Sequence, residues 1–456
     1  MAGIGFELRK ILRRDTFLSD IGAYLYAAMI SSGPWMMSVA CLALLGIYRV
    51  PGFDDHAHEV FRATVIYTYA FSLIYVGLCQ FVVTRFLADR LFADDEQAVV
   101  STFITCSAPI MGGGLLLAGF FYSFFPLSLS YRFLGVILFV IVCMIWVGMI
   151  FISAVKNYRS VLYAFTAGVL ISFFGAFFLG GRFGLTGYLA GYTLGQGVIF
   201  FWLLERILVE FPPSGTWNRD LQGYFRKYPD LAIIGFVYNL AIWIDKFVFW
   251  LAPDSRVIVQ FFVTHDLYEA PVFYAYLTIV PTMALFLIRI ETDFYLHYRR
   301  YYSQVTGKAP LRLILAEKEK MALMMHRGIR NILIVQGTVT VLSLVFVEQM
   351  AALAGLGPLQ VPVLRISLVG AFLLVLLSVM IIILFYFDLR GRVLSTLGVF
   401  LLSNGLLSGL TVFLGYQFYG YGFTYACLIS LLWGYFLLDN AMKNLEFITF
   451  SRQPVS

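Results

Sequence analysis

Charge is what this sequence has least of. Of its 456 residues, 13% are Asp, Glu, Lys or Arg, while 61% are hydrophobic. Soluble domains carry about 25% charged residues, so a water-soluble fold is excluded. No hydrophilic stretch is long enough to form a separate soluble domain, which leaves no room for an appended catalytic module. Histidine is scarce, at 5 residues, and cysteine also numbers 5: Cys41, Cys79, Cys106, Cys143 and Cys427. The cysteines all fall in apolar runs, their number is odd, and none shows metal-ligand spacing. They read as reduced packing residues. The net charge of +6 does not point to nucleic acid. Its basic residues cluster in short loops, which is an orientation signal for a membrane protein. No cofactor is implied.

What the sequence does have is apolar runs of about 20 residues, the length that crosses a bilayer. Twelve are expected, at roughly 21–47, 60–88, 97–125, 133–155, 160–180, 185–205, 231–252, 269–290, 328–350, 363–387, 393–414 and 421–439. The first is too long for the apolar core of a signal peptide and lacks a cleavage site, so it is expected to stay as a transmembrane helix. With both termini inside, most of the 32 Lys and Arg fall on the cytoplasmic side. Aromatic residues make up 18%, with 45 Phe and 28 Tyr. Most of them suit lipid-facing and interfacial packing; some could line a path for sugars, whose C–H faces lie well on aromatic rings.

Residues 1–20 form a basic amphipathic segment. Ile4, Leu8, Ile11 and Leu12 share one side, flanked by Arg9, Lys10, Arg13 and Arg14. It reads as an interfacial helix on anionic lipid, with docking of a partner as the alternative. The first span carries Ser31-Ser32-Gly33-Pro34-Trp35 at its centre. Pro34 removes a backbone hydrogen bond, and Ser31 and Ser32 can satisfy freed carbonyls, so a bend is expected there. Broken helices are common in transporters, though an inert kink fits equally. Gln80 is a polar residue toward the inner end of the second span. The loop Gly52–Glu59 holds Asp54, Asp55, His56, His58 and Glu59; it reads as a solvated loop, since its spacing matches no closed metal site. Gly187, Gly191 and Gly195 form a small-residue stripe in the sixth span, suited to close helix packing.

The chain divides near its middle, at a linker over 209–230. This gives a six-helix lobe over 21–208, a second over 231–440 with a cytoplasmic loop at 291–326, and a tail over 441–456. The ends of the sixth and twelfth spans match, Trp202-Leu203-Leu204-Glu205 against Phe436-Leu437-Leu438-Asp439. An even number of spans per half requires a parallel repeat, related by an axis along the membrane normal. Within 291–326, residues 311–325 form an amphipathic helix with Arg312, Lys318 and Lys320, a candidate docking site for a soluble partner.

The seventh span holds the most costly residues. Asp245 and Lys246 lie deep in an apolar run, where charges must face protein or a watery cavity. Helical spacing puts Asn239, Trp243, Lys246 and Trp250 on one face and Tyr238 and Asp245 on the neighbouring stripe. Adjacent residues point about 100° apart, so Asp245 and Lys246 are not expected simply to pair with each other. These residues, with Ser31, Ser32, Pro34, Gln80 and the Pro281 of the eighth span, are the candidate wall of a translocation path. The competing expectation is an ion pair that locks the bundle.

Four stretches together resemble a known family: Met1-Ala2-Gly3-Ile4-Gly5-Phe6-Glu7-Leu8-Arg9-Lys10, the Ser31–Trp35 kink, Trp243-Ile244-Asp245-Lys246-Phe247, and Ile290-Glu291-Thr292-Asp293-Phe294-Tyr295. The chain resembles the PelG family, the multispanning inner-membrane subunits of the Pel exopolysaccharide machinery of Gram-negative bacteria. The resemblance implies the polysaccharide-transporter branch of the multidrug/oligosaccharidyl-lipid/polysaccharide (MOP) superfamily. The expected fold class is therefore an all-α polytopic membrane protein, MATE/MOP-like, with about 12 helices in two six-helix lobes. It also implies a polysaccharide substrate rich in N-acetylgalactosamine, a cytoplasmic glycosyltransferase as partner, small membrane subunits including a cyclic di-GMP sensor, and a role in biofilm matrix. No substrate-contact residues are carried over. Alternatives remain a scaffold that seats the glycosyltransferase, a drug or ion antiporter, and a membrane-embedded glycosyltransferase. Few buried carboxylates count against the antiporter, and the lack of large outer loops counts against the enzyme.

Overall fold

The computed structural model of the chain describes residues 37–38, 40–46, 54–155, 158–212, 217–289 and 294–452. The expectations for Arg9, Lys10, Arg13, Arg14, Ser31, Ser32 and Pro34 lie outside the described residues.

Helices α1 (Asp55–Phe92), α2 (Ala98–Ser123), α3 (Leu129–Val155) and α4 (Tyr158–Glu210) come first. A short helix, α5 (Arg219–Lys227), precedes α6 (Pro229–Trp250). Strands β1 (Arg256–Val259) and β2 (Phe262–Thr264) form an antiparallel hairpin that pairs Val257 with Val263. Then follow α7 (Asp266–Leu277), α8 (Val280–Arg289), α9 (Tyr295–Thr306), α10 (Leu311–Val345), α11 (Val347–Leu353), α12 (Gln360–Tyr386), α13 (Arg390–Leu414), α14 (Tyr421–Lys443) and α15 (Leu445–Arg452). The protein is an all-α polytopic membrane protein. Nine stretches among the described residues are long and apolar enough to cross a bilayer.

The difference from twelve has three sources. The first expected span lies almost wholly outside the described residues. The fifth and sixth appear as the single 53-residue helix α4, whose length at 1.5 Å per residue would be about 80 Å, far more than a bilayer. It folds back at Gly184, whose backbone (φ 61°, ψ −143°) is one that residues with a side chain rarely adopt. Behind that turn the two halves touch backbone to backbone. A Cβ on Gly191 would overlap the Gly175 backbone, and one on Gly195 would overlap that of Gly168. The small-residue stripe is thus a helix-packing seam.

The third source is the eighth span, which is two helices of 12 and 10 residues. Pro281 stands second in α8, and a proline there has no N–H to continue a helix from α7. The connection tightens instead through Thr278 N–H to Ala275 O (3.2 Å) and Ile279 N–H to Tyr276 O (3.1 Å). Gln336 of α10 closes the break. Its amide donates to Thr278 O (3.3 Å) and accepts from the Thr282 hydroxyl (2.5 Å). Gln336 and Thr282 are fully buried, so this stitch satisfies groups that water cannot reach.

The expected amphipathic helix at 311–325 and the ninth span are one helix, α10. Its 35 residues make about 52 Å, so its charged first half projects beyond the apolar layer.

The described residues fall into two compact units. One takes those of Ser32–Trp243 and Trp250–His265, the other those of Ile244–Phe249 and Asp266–Ser456. In the first, α3 packs on α1, α2 and α4. Buried polar groups there find side-chain partners: the Trp146 indole donates to Ser72 Oγ (3.0 Å), and Thr64 and Tyr131 share a 2.7 Å bond. In the second, α12 packs on α7 and α14, and α13 on α14. Ala275, Leu364, Leu368 and Ala371 form a dry apolar cluster at the α7–α12 contact. The five cysteines are buried and free.

Candidate functional site

The site grows from α6. Its sequence is apolar except at a few positions, and two of these, Asp245 and Lys246, are adjacent. Asp245 is fully buried and Lys246 is 8% exposed. Leaving either charge alone at such a position would be expensive, so the surroundings must supply partners.

They supply three hydrogen bonds to the carboxylate. Lys246 Nζ donates to Asp245 Oδ2 (2.9 Å) and Oδ1 (3.1 Å). The Tyr268 hydroxyl of α7 donates to Oδ2 (2.7 Å). Two turns further along α7, the Tyr276 hydroxyl accepts from Lys246 Nζ (3.0 Å). The ammonium also lies 4.7 Å from the centroid of the Tyr276 ring and 5.7 Å from that of Phe423 on α14, within cation–π range.

The adjacent pair therefore does pair with itself, against the sequence expectation. The expectation compared Cβ directions, which are about 100° apart, and neglected the reach of the lysine stem. Four methylenes let the ammonium swing back over its neighbour.

The packing around the pair explains why these side chains stay put. Phe249, one turn beyond Asp245, stacks on the Tyr268 ring at 3.6 Å and 11°, and meets Tyr419 edge-on at 4.8 Å. Gly405 and Gly409 of α13 present no side chain toward α6. A Cβ on Gly405 would already touch Ile244 at 3.4 Å. The result is a buried, hydrogen-bonded cluster of one acid, one base and two phenols, framed by aromatic rings. It can hold helices in register or offer polar groups and ring faces to a neutral polar solute. Among the described residues no group of three or more His, Cys, Asp or Glu could hold a metal ion.

The other sequence candidates are not all drawn into this cluster. Asn239 is buried, and its amide donates to Gly235 O (3.0 Å) one turn back on its own helix. It stands where α6 crosses α1 at the paired glycines Gly235 and Gly77. Trp250 stacks on Tyr67 of α1 at 4.2 Å and 5°, and Tyr238 lies 6.4 Å from Phe81. Trp243 and Gln80 are half-buried, and Pro281 is exposed at the start of α8.

Of the docking candidates, Lys318 is held by Glu446 of α15 (2.7 and 2.8 Å), and Lys320 reaches Glu317 (3.3 Å). Arg312 is exposed. Glu317 also meets His297 Nδ1 of α9 at 2.9 Å, so polar contacts tie α10 to α9 on one side and to α15 on the other. On the linker, Tyr224 of α5 donates to Asp89 Oδ2 (3.1 Å), and burial beside that carboxylate raises its phenol above the usual range.

Sequence reasoning missed Tyr268, Tyr276 and Gln336. For the tyrosines the usable signal was their spacing of eight, which puts both on one face of a helix.

Solved structures of MATE and MOP transporters share the fold. A point mutant of a MATE transporter superposes with a TM-score of 0.63 at 12% identity, covering 92% of this chain and 96% of that one. A multidrug resistance MATE family transporter in an outward-facing conformation gives 0.62 at 15%, covering 92% and 96%. A MOP superfamily transporter from Pyrococcus furiosus Vc1 gives 0.58 at 16%, covering 91% and 96%. No curated protein matches in sequence. One family model, "PelG: Putative exopolysaccharide Exporter (EPS-E)", matches residues 1–450, and the chain belongs to that family of exopolysaccharide exporters.

Proposed function

We propose that this chain passes a nascent Pel-type exopolysaccharide, rich in N-acetylgalactosamine and largely neutral, across the bacterial inner membrane. The observation that carries this is the family match over residues 1–450. The transporter fold supports it, and so does a chain with few fixed charges and many aromatic rings. Synthesis belongs to a cytoplasmic glycosyltransferase, so the chain itself is not an enzyme. Small membrane subunits, one of them a cyclic di-GMP sensor, complete the machinery and tie it to biofilm matrix. Both termini are cytoplasmic, as the bias of Lys and Arg requires. Two six-helix lobes, 21–208 and 231–440, are joined by the linker 209–230.

The path includes the polar and aromatic residues of α6 (Tyr238, Asn239, Trp243, Asp245, Lys246 and Trp250), with Ser31, Ser32, Pro34, Gln80 and Pro281. Arg9, Lys10, Arg13, Arg14, Arg312, Lys318 and Lys320 form the docking side. A second role for Asp245 and Lys246 has a specific observation behind it. Burial and hydrogen bonds to Tyr268 and Tyr276 make the pair a lock between α6 and α7. Multidrug resistance, named for two structural neighbours, is less well supported as a role here, since among the described residues few carboxylates are buried to couple ions.

The test uses inverted membrane vesicles carrying the full assembly, supplied with UDP-sugar outside and then with a glycosidase that cannot enter. Polymer protected only when this chain is present is the expected result. Polymer made and protected without it would sink the transporter assignment. Loss of all polymer without it would leave scaffold and obligate coupling. The double variant Asp245→Asn/Lys246→Gln then decides. It removes both charges, strands neither, and lowers export only if the pair lines the path.

A further inference from the structure

A cavity of about 220 Å³ opens between α10, α12 and α14, and none of its lining residues belongs to the Asp245 cluster. Its walls are apolar, with Met325 and Leu333 from α10, Met380 from α12 and Leu438 from α14; His326 and Arg330 border it. Its depth follows from the sequence. In α10 the charged residues stop at Arg330, and none follows until Glu348; in α14 none occurs from Tyr421 until Asp439. The cavity therefore straddles the level where both helices pass from hydrocarbon to water, on the side that carries the basic loops.

Its unpartnered charge is positive. Arg330 is exposed and has no hydrogen bond or ion pair among the described residues. His326 is exposed, and its Nδ1 sits 2.7 Å from Ala322 O. That bond makes Nδ1 the donor and turns Nε2 outward. The single acid on the wall, Asp439, is already held by Lys443 at 2.6 Å.

From this geometry we propose that the cavity binds an anionic phospholipid of the leaflet on the basic side. The phosphate sits at Arg330, and an acyl chain runs along Leu333, Met380 and Leu438. A guanidinium supplies paired donors to phosphate oxygens, and the apolar wall removes methylenes from contact with water. A free phosphate would use only the mouth and leave the wall empty, so a lipid is the occupant that the whole cavity fits.

The test is native mass spectrometry of the full chain, purified in mild detergent with equal amounts of phosphatidylglycerol and phosphatidylcholine. The expected result is one retained phosphatidylglycerol in preference to phosphatidylcholine. Arg330→Gln should lower its occupancy about fivefold, the worth of one cation near a lipid surface. Arg312→Gln, an exposed cation on the same helix, should leave it unchanged. Glycerol 3-phosphate, which has no acyl chain, should fail to displace the lipid. Equal retention of both lipids would overturn the proposal. So would equal losses for Arg330→Gln and Arg312→Gln, or displacement by glycerol 3-phosphate, which would leave an anion site only. Because Arg330 is exposed, its replacement leaves the packed core intact, and the preference of the unaltered chain is a readout that needs no variant.

Discussion

Two ion-paired regions in the same unit solve the same problem in opposite ways. The pair Asp245–Lys246 has side chains 0% and 10% exposed. The pair Lys318–Glu446 has side chains 18% and 25% exposed, and Lys320, which reaches Glu317, is 61% exposed. Distances do not separate them, since the N···O separations are 2.9 Å and 2.7 Å. What separates them is who completes the hydrogen bonding. At Asp245 the remaining lone pair is met by Tyr268, and the remaining lysine proton by Tyr276. At Lys318 both partners are partly exposed to solvent, and among the described residues no tyrosine hydroxyl completes the pair. A charge in an apolar layer must be satisfied by protein, and that requirement makes its neighbours as necessary as its partner.

The largest effect should come from breaking the dry pair on one side. Asp245→Ala leaves an ammonium in a site built for a carboxylate, and a stranded buried charge costs about 3–5 kcal/mol. Thermal unfolding of the detergent-solubilised protein, followed by the fraction that stays monodisperse after heating, should show a large drop in midpoint. Asp245→Asn/Lys246→Gln should recover most of it, because no charge is stranded. A midpoint for Asp245→Ala equal to that of the unaltered protein would mean that water reaches the pair, and the contrast between the two regions would collapse.

Next in size is Tyr268→Phe. The ring keeps its stacking on Phe249, so packing is conserved while one hydrogen bond to a carboxylate is lost. Bonds to charged groups contribute about 1.5–3 kcal/mol. The midpoint should fall by an intermediate amount, and the fall should shrink in the Asp245→Asn/Lys246→Gln background, where the acceptor is no longer charged. An undiminished loss in that background would assign Tyr268 to packing and not to the pair.

How much of this was legible follows from which terms are local. Asp245 and Lys246 stood out because a charge in an apolar run is costly wherever it lies, a property of the sequence itself. The membrane spans were legible for the same reason, and so was the close seam at Gly191 and Gly195. Tyr268 and Tyr276 were not, because their importance comes from a different helix brought alongside α6, and a spacing of eight is a weak mark among 28 tyrosines. Gln336 was hidden likewise: its role exists only because Pro281 breaks the eighth span and leaves Thr278 O in need of a donor. Pro281 itself was visible, yet the apolar run was read through it as one span. Hydropathy reports where a chain is apolar and is silent on where its backbone bonds are interrupted. The self-pairing of Asp245 and Lys246 was misjudged by reasoning from backbone geometry alone, where the length of the lysine side chain decided the outcome.

The smallest effect sharpens the comparison most, because it changes with salt. Lys318→Ala removes a two-pronged contact with Glu446, but the carboxylate left behind is a quarter exposed and can turn to water. No charge is stranded, and pairs of this kind contribute about 0.2–1 kcal/mol. The midpoint should fall slightly at low ionic strength. In about 1 M salt, where the screening length is about 3 Å, the unaltered protein and Lys318→Ala should converge. The gap between the unaltered protein and Asp245→Ala should persist in the same salt, since buried pairs are screened much less than exposed ones. Should both gaps close together, the two regions share one dielectric environment, and burial would not be what sets the rank. Should the Lys318 gap survive high salt, its contribution is the packing of the lysine stem between α10 and α15, which Lys318→Met would restore and Lys318→Ala would not.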